Sequence, residues 1–93
     1  LGDLIVDFEN RHVARSGQAI SLSPTSWTIL EVLAQNSPHV VTRSRLSMAL
    51  WQGDPPDTNA LKTHLYKLRM RIDKPFNQNL IHTIAGQGVA LRE

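Results

Sequence analysis

The chain contains no cysteine. That absence excludes disulfides and thiolate metal sites, the staples of many small secreted domains, and fits a reducing compartment, so a cytoplasmic location is expected. Long apolar runs are missing as well: nothing approaches the ~20 residues of a membrane-spanning helix, and no basic start followed by an apolar stretch marks a signal peptide. No membrane partner is therefore expected. Aromatic residues make up only 5% of the chain, which leaves little to stack on unpaired bases and disfavours RNA as a ligand. His12, His39, His64 and His82 fall on different predicted elements, with neither HxxxH nor HxH spacing. Neither a metal site nor a histidine-based catalytic group has support, and we expect no metal, no cofactor and no enzyme.

What is present suffices for one small core. Ninety-three residues, 41% of them hydrophobic, make a single domain that buries roughly 60–65% of its unfolded surface and has no room for a deep enzyme cleft. The chain opens at Leu1 with a strand already under way, which reads as a piece of a longer protein with an upstream partner domain. The formal charge of +2 is small, but it is unevenly placed. Between Asp57 and Lys74, five cations (Lys62, Lys67, Arg69, Arg71 and Lys74) face two carboxylates (Asp57 and Asp73), so this segment carries +3 and the remainder −1. Positive charge concentrated on one element suits a polyanion, because each neutralised phosphate releases condensed counterions. A solvated helix face carries charge in the same way.

Along the chain, residues 4–8, 12–15 and 19–22 read as short strands separated by turn residues, Glu9-Asn10-Arg11 and Ser16-Gly17-Gln18, where Asn and Gly tolerate positive φ. Ser23 then caps a helix with Pro24 at its first position, running to about Asn36 with Trp27, Leu30, Leu33 and Ala34 inward. Thr42 caps a second helix that reaches about Trp51, with Leu46, Ala49 and Leu50 inward. Two prolines and a glycine make residues 52–56 a connector. Asp57 or Thr58 caps a third helix, about 57–73, that Lys74-Pro75 ends. Residues 80–85 and 89–92 flank Gly86-Gln87-Gly88 as a hairpin. The order predicts an α+β winged helix-turn-helix, with an N-terminal antiparallel sheet (1–22), three helices (23–74) and a C-terminal β-hairpin wing (80–92), although other small α+β domains share parts of this order.

The third helix carries the functional expectation. Leu61, Leu65, Leu68 and Ile72 form a narrow apolar stripe at spacings of four, three and four. Opposite it lie Asn59, Thr63, Tyr66, Lys67 and Met70, with Lys62 and Arg69 on one shoulder and His64 and Arg71 on the other. Lys67 can donate to guanine O6 and N7, Asn59 can pair with an adenine edge or a phosphate, and Thr63 and Met70 can meet a thymine methyl. The shoulder cations Lys62, Arg69 and Arg71 suit phosphates, which set register while base contacts specify sequence. The competing reading is a winged helix used only for protein contacts, with Tyr66 and Met70 as its anchors.

Five segments, SLSPTSWTILEVL (21–33), VTRSRL (41–46), LWQG (50–53), LKTHLYKLR (61–69) and IHTIAGQG (81–88), together resemble the effector domains of OmpR/PhoB-type two-component response regulators. The resemblance covers nearly the whole chain. It implies a bacterial transcription regulator that binds double-stranded DNA at tandem half-sites, with the third helix in the major groove and the wing alongside. It further implies an upstream phosphorylatable receiver domain, through which the protein forms homodimers. By position, Arg43 and Trp51 match backbone contacts from the second helix, Thr83 a backbone contact from the wing, and Thr63 and Lys67 major-groove positions. Gln52, Gly53, Asp54, Pro55 and Pro56 match the loop that meets RNA polymerase in several members. Three positions depart from the pattern: Ala85 stands for the usual wing arginine, with Gln87 or His82 as the substitutes at hand. Asn59 stands for an arginine that Lys62, where aspartate is common, offsets, and Val89 replaces an aromatic, which predicts thinner packing there.

Overall fold

The computed structural model describes residues 1–52, 54, 56–57 and 59–93. Three short strands, β1 (Leu4–Asp7), β2 (His12–Arg15) and β3 (Gln18–Ile20), form an antiparallel sheet in chain order. Three helices follow, α1 (Pro24–Asn36), α2 (Arg43–Trp51) and α3 (Ala60–Ile72), and then an antiparallel hairpin of β4 (Ile81–Ile84) and β5 (Gly88–Leu91). This is the winged-helix order expected from the sequence.

Local chemistry explains most boundaries. Ser23 Oγ accepts from the Ser26 amide at 3.2 Å and Pro24 opens α1. Thr42 Oγ1 accepts from the Arg45 amide at 3.1 Å and opens α2. Each hydroxyl satisfies a helix-end donor that has no partner inside its helix. Replacing either residue with alanine is expected to cost about 1 kcal/mol and to lower the thermal midpoint by about 4–8 °C, measurable by circular dichroism melting. A midpoint unchanged in both variants would show that the caps are dispensable.

The sheet turns differ in detail from expectation. Ser16 and Gly17 both have positive φ (51° and 79°) between the paired Arg15 and Gln18, a two-residue turn whose twist matches that of the strands. In the first turn Arg11 (φ 53°) takes the left-handed conformation in place of Asn10. Asn10 instead donates its amide and its side-chain nitrogen to the Asp7 carboxylate at 3.1 and 2.9 Å, which sets the bend from the side-chain end. Strand β3 covers Gln18–Ile20 rather than 19–22, and Leu22 packs half-buried in the linker to α1.

Two helices also differ from the sequence-based expectation. Helix α3 begins at Ala60, with Asn59 at the capping position and no side-chain cap. The Asp57 carboxylate accepts from the Asn59 amide at 2.7 Å, so it closes a tight turn ahead of the helix instead of capping it. The alternative cap, Thr58, lies outside the described residues. In α2 only Leu46 is buried; Leu50 is half-buried and Ala49 is exposed. The helix meets the core through Leu46, Leu50 and Trp51, and Ala49 projects to the other side of Leu46.

The core is continuous. Leu4 and Val13 from the sheet, Ile29, Leu30 and Leu33 from α1, Leu46 from α2, Leu61, Leu65, Leu68 and Ile72 from α3, and Val89 and Leu91 from β5 belong to one buried cluster. The apolar stripe of α3 is thus wholly inward. Val89 is fully buried, and its amide and carbonyl pair with Val41 at 2.9 and 2.7 Å. The Val41 bridge ties the wing to the residue just before the cap of α2.

A buried polar knot closes the other end. Arg15, on β2, is 1% exposed; its guanidinium donates to the Ile72 carbonyl at 2.6 Å, to Asp73 at 3.1 Å, to Asp3 at 2.9 Å and to the Gln78 carbonyl. It lies 4.8 Å from the centre of the Phe76 ring. The Ser16 hydroxyl, and after it Arg15, hold the Asp3 carboxyl below the ordinary aspartate range.

Candidate nucleic-acid interface

With its apolar stripe buried, α3 has one side left to present. Lys62, Thr63, Tyr66 and Lys67 are exposed, Tyr66 to 61%. Met70, expected on the open face, is half-buried beside the linker between β3 and α1. That weakens the pairing of Tyr66 with Met70 as anchors of a protein-docking surface, because one of the two is already partly covered.

On one shoulder of α3 the three DNA-facing elements of the expected motif converge. A recess is lined by Arg43 and Ser47 from α2, Asp57 and Asn59 ahead of α3, Lys62 and Arg69 from α3, and Thr83 from β4. Arg43, Lys62, Arg69 and Thr83, read separately from the sequence, are thereby brought together. Ser47 was missed, although it lies one helical turn after Arg43 and so on the same face. Arg69 donates a hydrogen bond to Thr83 Oγ1, which joins α3 to the wing. Because that bond uses a lone pair of the hydroxyl, the Thr83 proton remains available to an acceptor in the recess. Three cations beside one carboxylate leave the recess net positive.

The other candidates are placed less centrally. Trp51 is half-buried against the core, its ring centre 6.0 Å from that of His64. Arg71 is exposed on the far shoulder and donates to the Ser21 carbonyl at 3.1 Å. Gln87 is exposed at the wing turn, whereas His82 is half-buried and its Nε2 lies 2.9 Å from the Arg92 carbonyl oxygen. Of the two substitutes for the absent wing arginine, only Gln87 is available. In the connector after α2, Gln52, Asp54 and Pro56 are exposed, while Gly53 and Pro55 lie outside the described residues. Among the described residues no cluster of three or more His, Asp or Glu side chains could hold a metal, and no helix is long and apolar enough to cross a membrane.

Comparison with known proteins agrees with this geometry. Residues 17–91 match the family model described as transcriptional regulatory protein, C terminal. The chain is 37% identical over 92 residues to the transcriptional regulatory protein PcoR of Escherichia coli, covering 98% of this chain and 41% of PcoR. It thus spans about two fifths of the length of that relative. The response regulator DrrB of Thermotoga maritima, described as an OmpR/PhoB homologue, superposes with a TM-score of 0.85 at 32% identity, over 100% of this chain and 43% of DrrB. The DNA-binding domain of CpxR from E. coli superposes at 0.82 with 25% identity, over 100% of this chain and 93% of that one. Transcriptional regulators of this kind are not an enzyme class. From its match, its fold and the convergence of α2, α3 and the wing, the chain belongs to the family of C-terminal effector domains of OmpR/PhoB-type response regulators.

Proposed function

We propose that this chain binds double-stranded DNA sequence-specifically as the effector domain of a bacterial two-component transcription regulator, with α3 in the major groove and the wing alongside. The observation that carries the reading is the positive recess in which Arg43, Lys62, Arg69 and Thr83, from three separate elements, converge beside the exposed face of α3. A phosphate there would meet charge from two helices and a hydroxyl from the wing, and so fix the helix against the groove wall. Thr63, Lys67 and Asn59 then face base edges, with Tyr66 at the centre of the contact. Trp51 and Gln87 contact the backbone at the two margins of the interface.

The full protein, on this reading, is cytoplasmic and carries an upstream receiver domain, supported by the two-fifths coverage of PcoR and by a family model that describes a C-terminal region. Homodimers form through that receiver and occupy tandem half-sites. The exposed Gln52, Asp54 and Pro56 belong to a connector that meets RNA polymerase.

The test is a titration of the chain against a pool of random duplex DNA at two salt concentrations, followed by sequencing of the bound fraction. Steeply salt-dependent affinity with an enriched motif is the expected result. Absence of binding at low salt would move the reading to a protein-docking surface centred on Tyr66. Once a motif is known, Lys67→Ala is expected to relax discrimination between motif and competitor. Arg43→Ala should weaken all DNA alike and lower the salt slope by about one. Equal effects from the two would defeat this division of roles.

A further inference from the structure

A small cleft opens where the N-terminal sheet meets the head of α1. Val13 on β2, Ile20 on β3, Leu22 in the linker and Pro24 at the start of α1 line it, together with Arg11 at the β1–β2 turn and Trp27 on α1. None of these six residues belongs to the proposed DNA interface. We infer that the cleft binds a short-chain aliphatic carboxylate, whose chain lies on the apolar walls and whose carboxylate accepts from the Arg11 guanidinium and the Trp27 indole N–H.

Two donors without acceptors define the charge of the ligand. Trp27 is 4% exposed, and its indole nitrogen is buried with no hydrogen-bond partner among the described residues. That nitrogen can only donate, and folded chains rarely leave a buried donor idle. The Arg11 guanidinium lies 5.3 Å from the centre of the same ring, and both ion pairs among the described residues belong to Arg15 instead. No carboxylate lines the cleft among the described residues. A guanidinium fork matches a carboxylate in geometry and charge. Arg11 also holds a left-handed backbone (φ 53°), a conformation that costs a residue other than glycine energy and persists where its surroundings enforce it, ligand sites among them. Because Arg11 is exposed while the indole nitrogen is covered, its side chain swings off the ring as the carboxylate enters. The walls and the volume define the rest of the ligand. The cleft holds about 170 Å³, about the space that a six-carbon ring fills, which suits a carboxylic acid of about four carbons. Val13 is buried and Ile20 and Leu22 are half-buried, so they offer contact to a hydrocarbon chain but no partner to the hydroxyls of a sugar or a hydroxy acid.

The experiment follows the Trp27 indole N–H resonance by two-dimensional NMR, assigned as the one that survives in Trp51→Phe, while sodium butyrate replaces sodium chloride at constant ionic strength and neutral pH. Butyramide, of the same size and shape but uncharged, is titrated in parallel. A saturable shift with butyrate is expected, half-complete at about 1–10 mM for a ligand of about six non-hydrogen atoms. Butyramide should need at least about ten times more, and Arg11→Gln should raise the butyrate midpoint by about tenfold or more, as expected for loss of a charge-assisted hydrogen bond. A shift that grows linearly without saturating, an equal response to butyramide, or an unchanged midpoint in Arg11→Gln overturns the inference. Should Arg11→Gln lose its dispersed spectrum, the comparison of butyrate with butyramide on the wild-type chain decides alone.

Discussion

Asp73→Ala is expected to lower the stability of the chain by about 3–5 kcal/mol. Asp73 is 4% exposed, and its carboxylate accepts three hydrogen bonds: from Arg15 at 3.1 Å, from the Leu80 amide at 3.0 Å and from the Ile81 amide at 3.1 Å. Removing it leaves two buried amides unpaired and strips Arg15 of its buried counter-charge, because the other carboxylate, Asp3, is 39% exposed. Breaking a buried pair from one side costs far more than the pair contributes in place, since the remaining charge stays desolvated. For a domain this size, with about 5–14 kcal/mol in total, such a loss takes much of the margin. Urea denaturation reads it directly, and a loss below about 1 kcal/mol would show that water replaces the carboxylate. A double-mutant cycle with Arg15→Met separates the two contributions: the double variant should be less damaged than the sum of the singles, as expected for groups in one network.

Gly88→Ala is the second large loss, about 2–4 kcal/mol, and it acts through the backbone. Gly88 has φ +150°, and a Cβ there would lie 2.1 Å from the Val41 carbonyl oxygen and 3.0 Å from the Thr42 Cα. No rotamer relieves a clash with backbone, so either β5 or the segment before α2 must move. That movement breaks the paired bonds between Val41 and Val89 and shifts Thr42, whose hydroxyl caps α2. The thermal midpoint should fall by roughly 10 °C or more. Affinity for DNA should fall even where the variant is folded, because the shift separates Arg43 on α2 from Thr83 on β4. Gly17→Ala is the control: its φ is +79°, but nothing lies within 4 Å of the added Cβ, so it carries the conformational cost alone, about 1–2 kcal/mol. Equal losses at the two glycines would show that the close approach to Val41 is not what matters.

The order of elements and the inward face of α3 were legible because both rest on short-range rules. Proline at the head of α1, hydroxyls at two caps and leucines at spacings of three and four act within a turn or two of themselves. The same rules failed where a neighbour overrode them. Asp57 has the chemistry of a cap but closes a turn, and Met70 has the angular position of a reader but is half-buried beside the linker to α1. Ala49 falls outside because α2 turns Leu46, Leu50 and Trp51 to the core, which leaves Ala49 on the far side of Leu46.

By itself the sequence determined which helix carries the charge, which of its faces is apolar and which cations stand on each shoulder, since helical periodicity settles direction around an axis. Periodicity says nothing about what meets each shoulder. The partners that convert cations into recesses are distant in the chain: Thr83 lies 14 residues from Arg69, Ser21 lies 50 from Arg71, and Arg15 lies 58 from Asp73. Only the packing of wing, linker and sheet around one core brought those pairs together, because a hydrogen bond depends on separation in space, which sequence spacing sets only over a turn or two of helix.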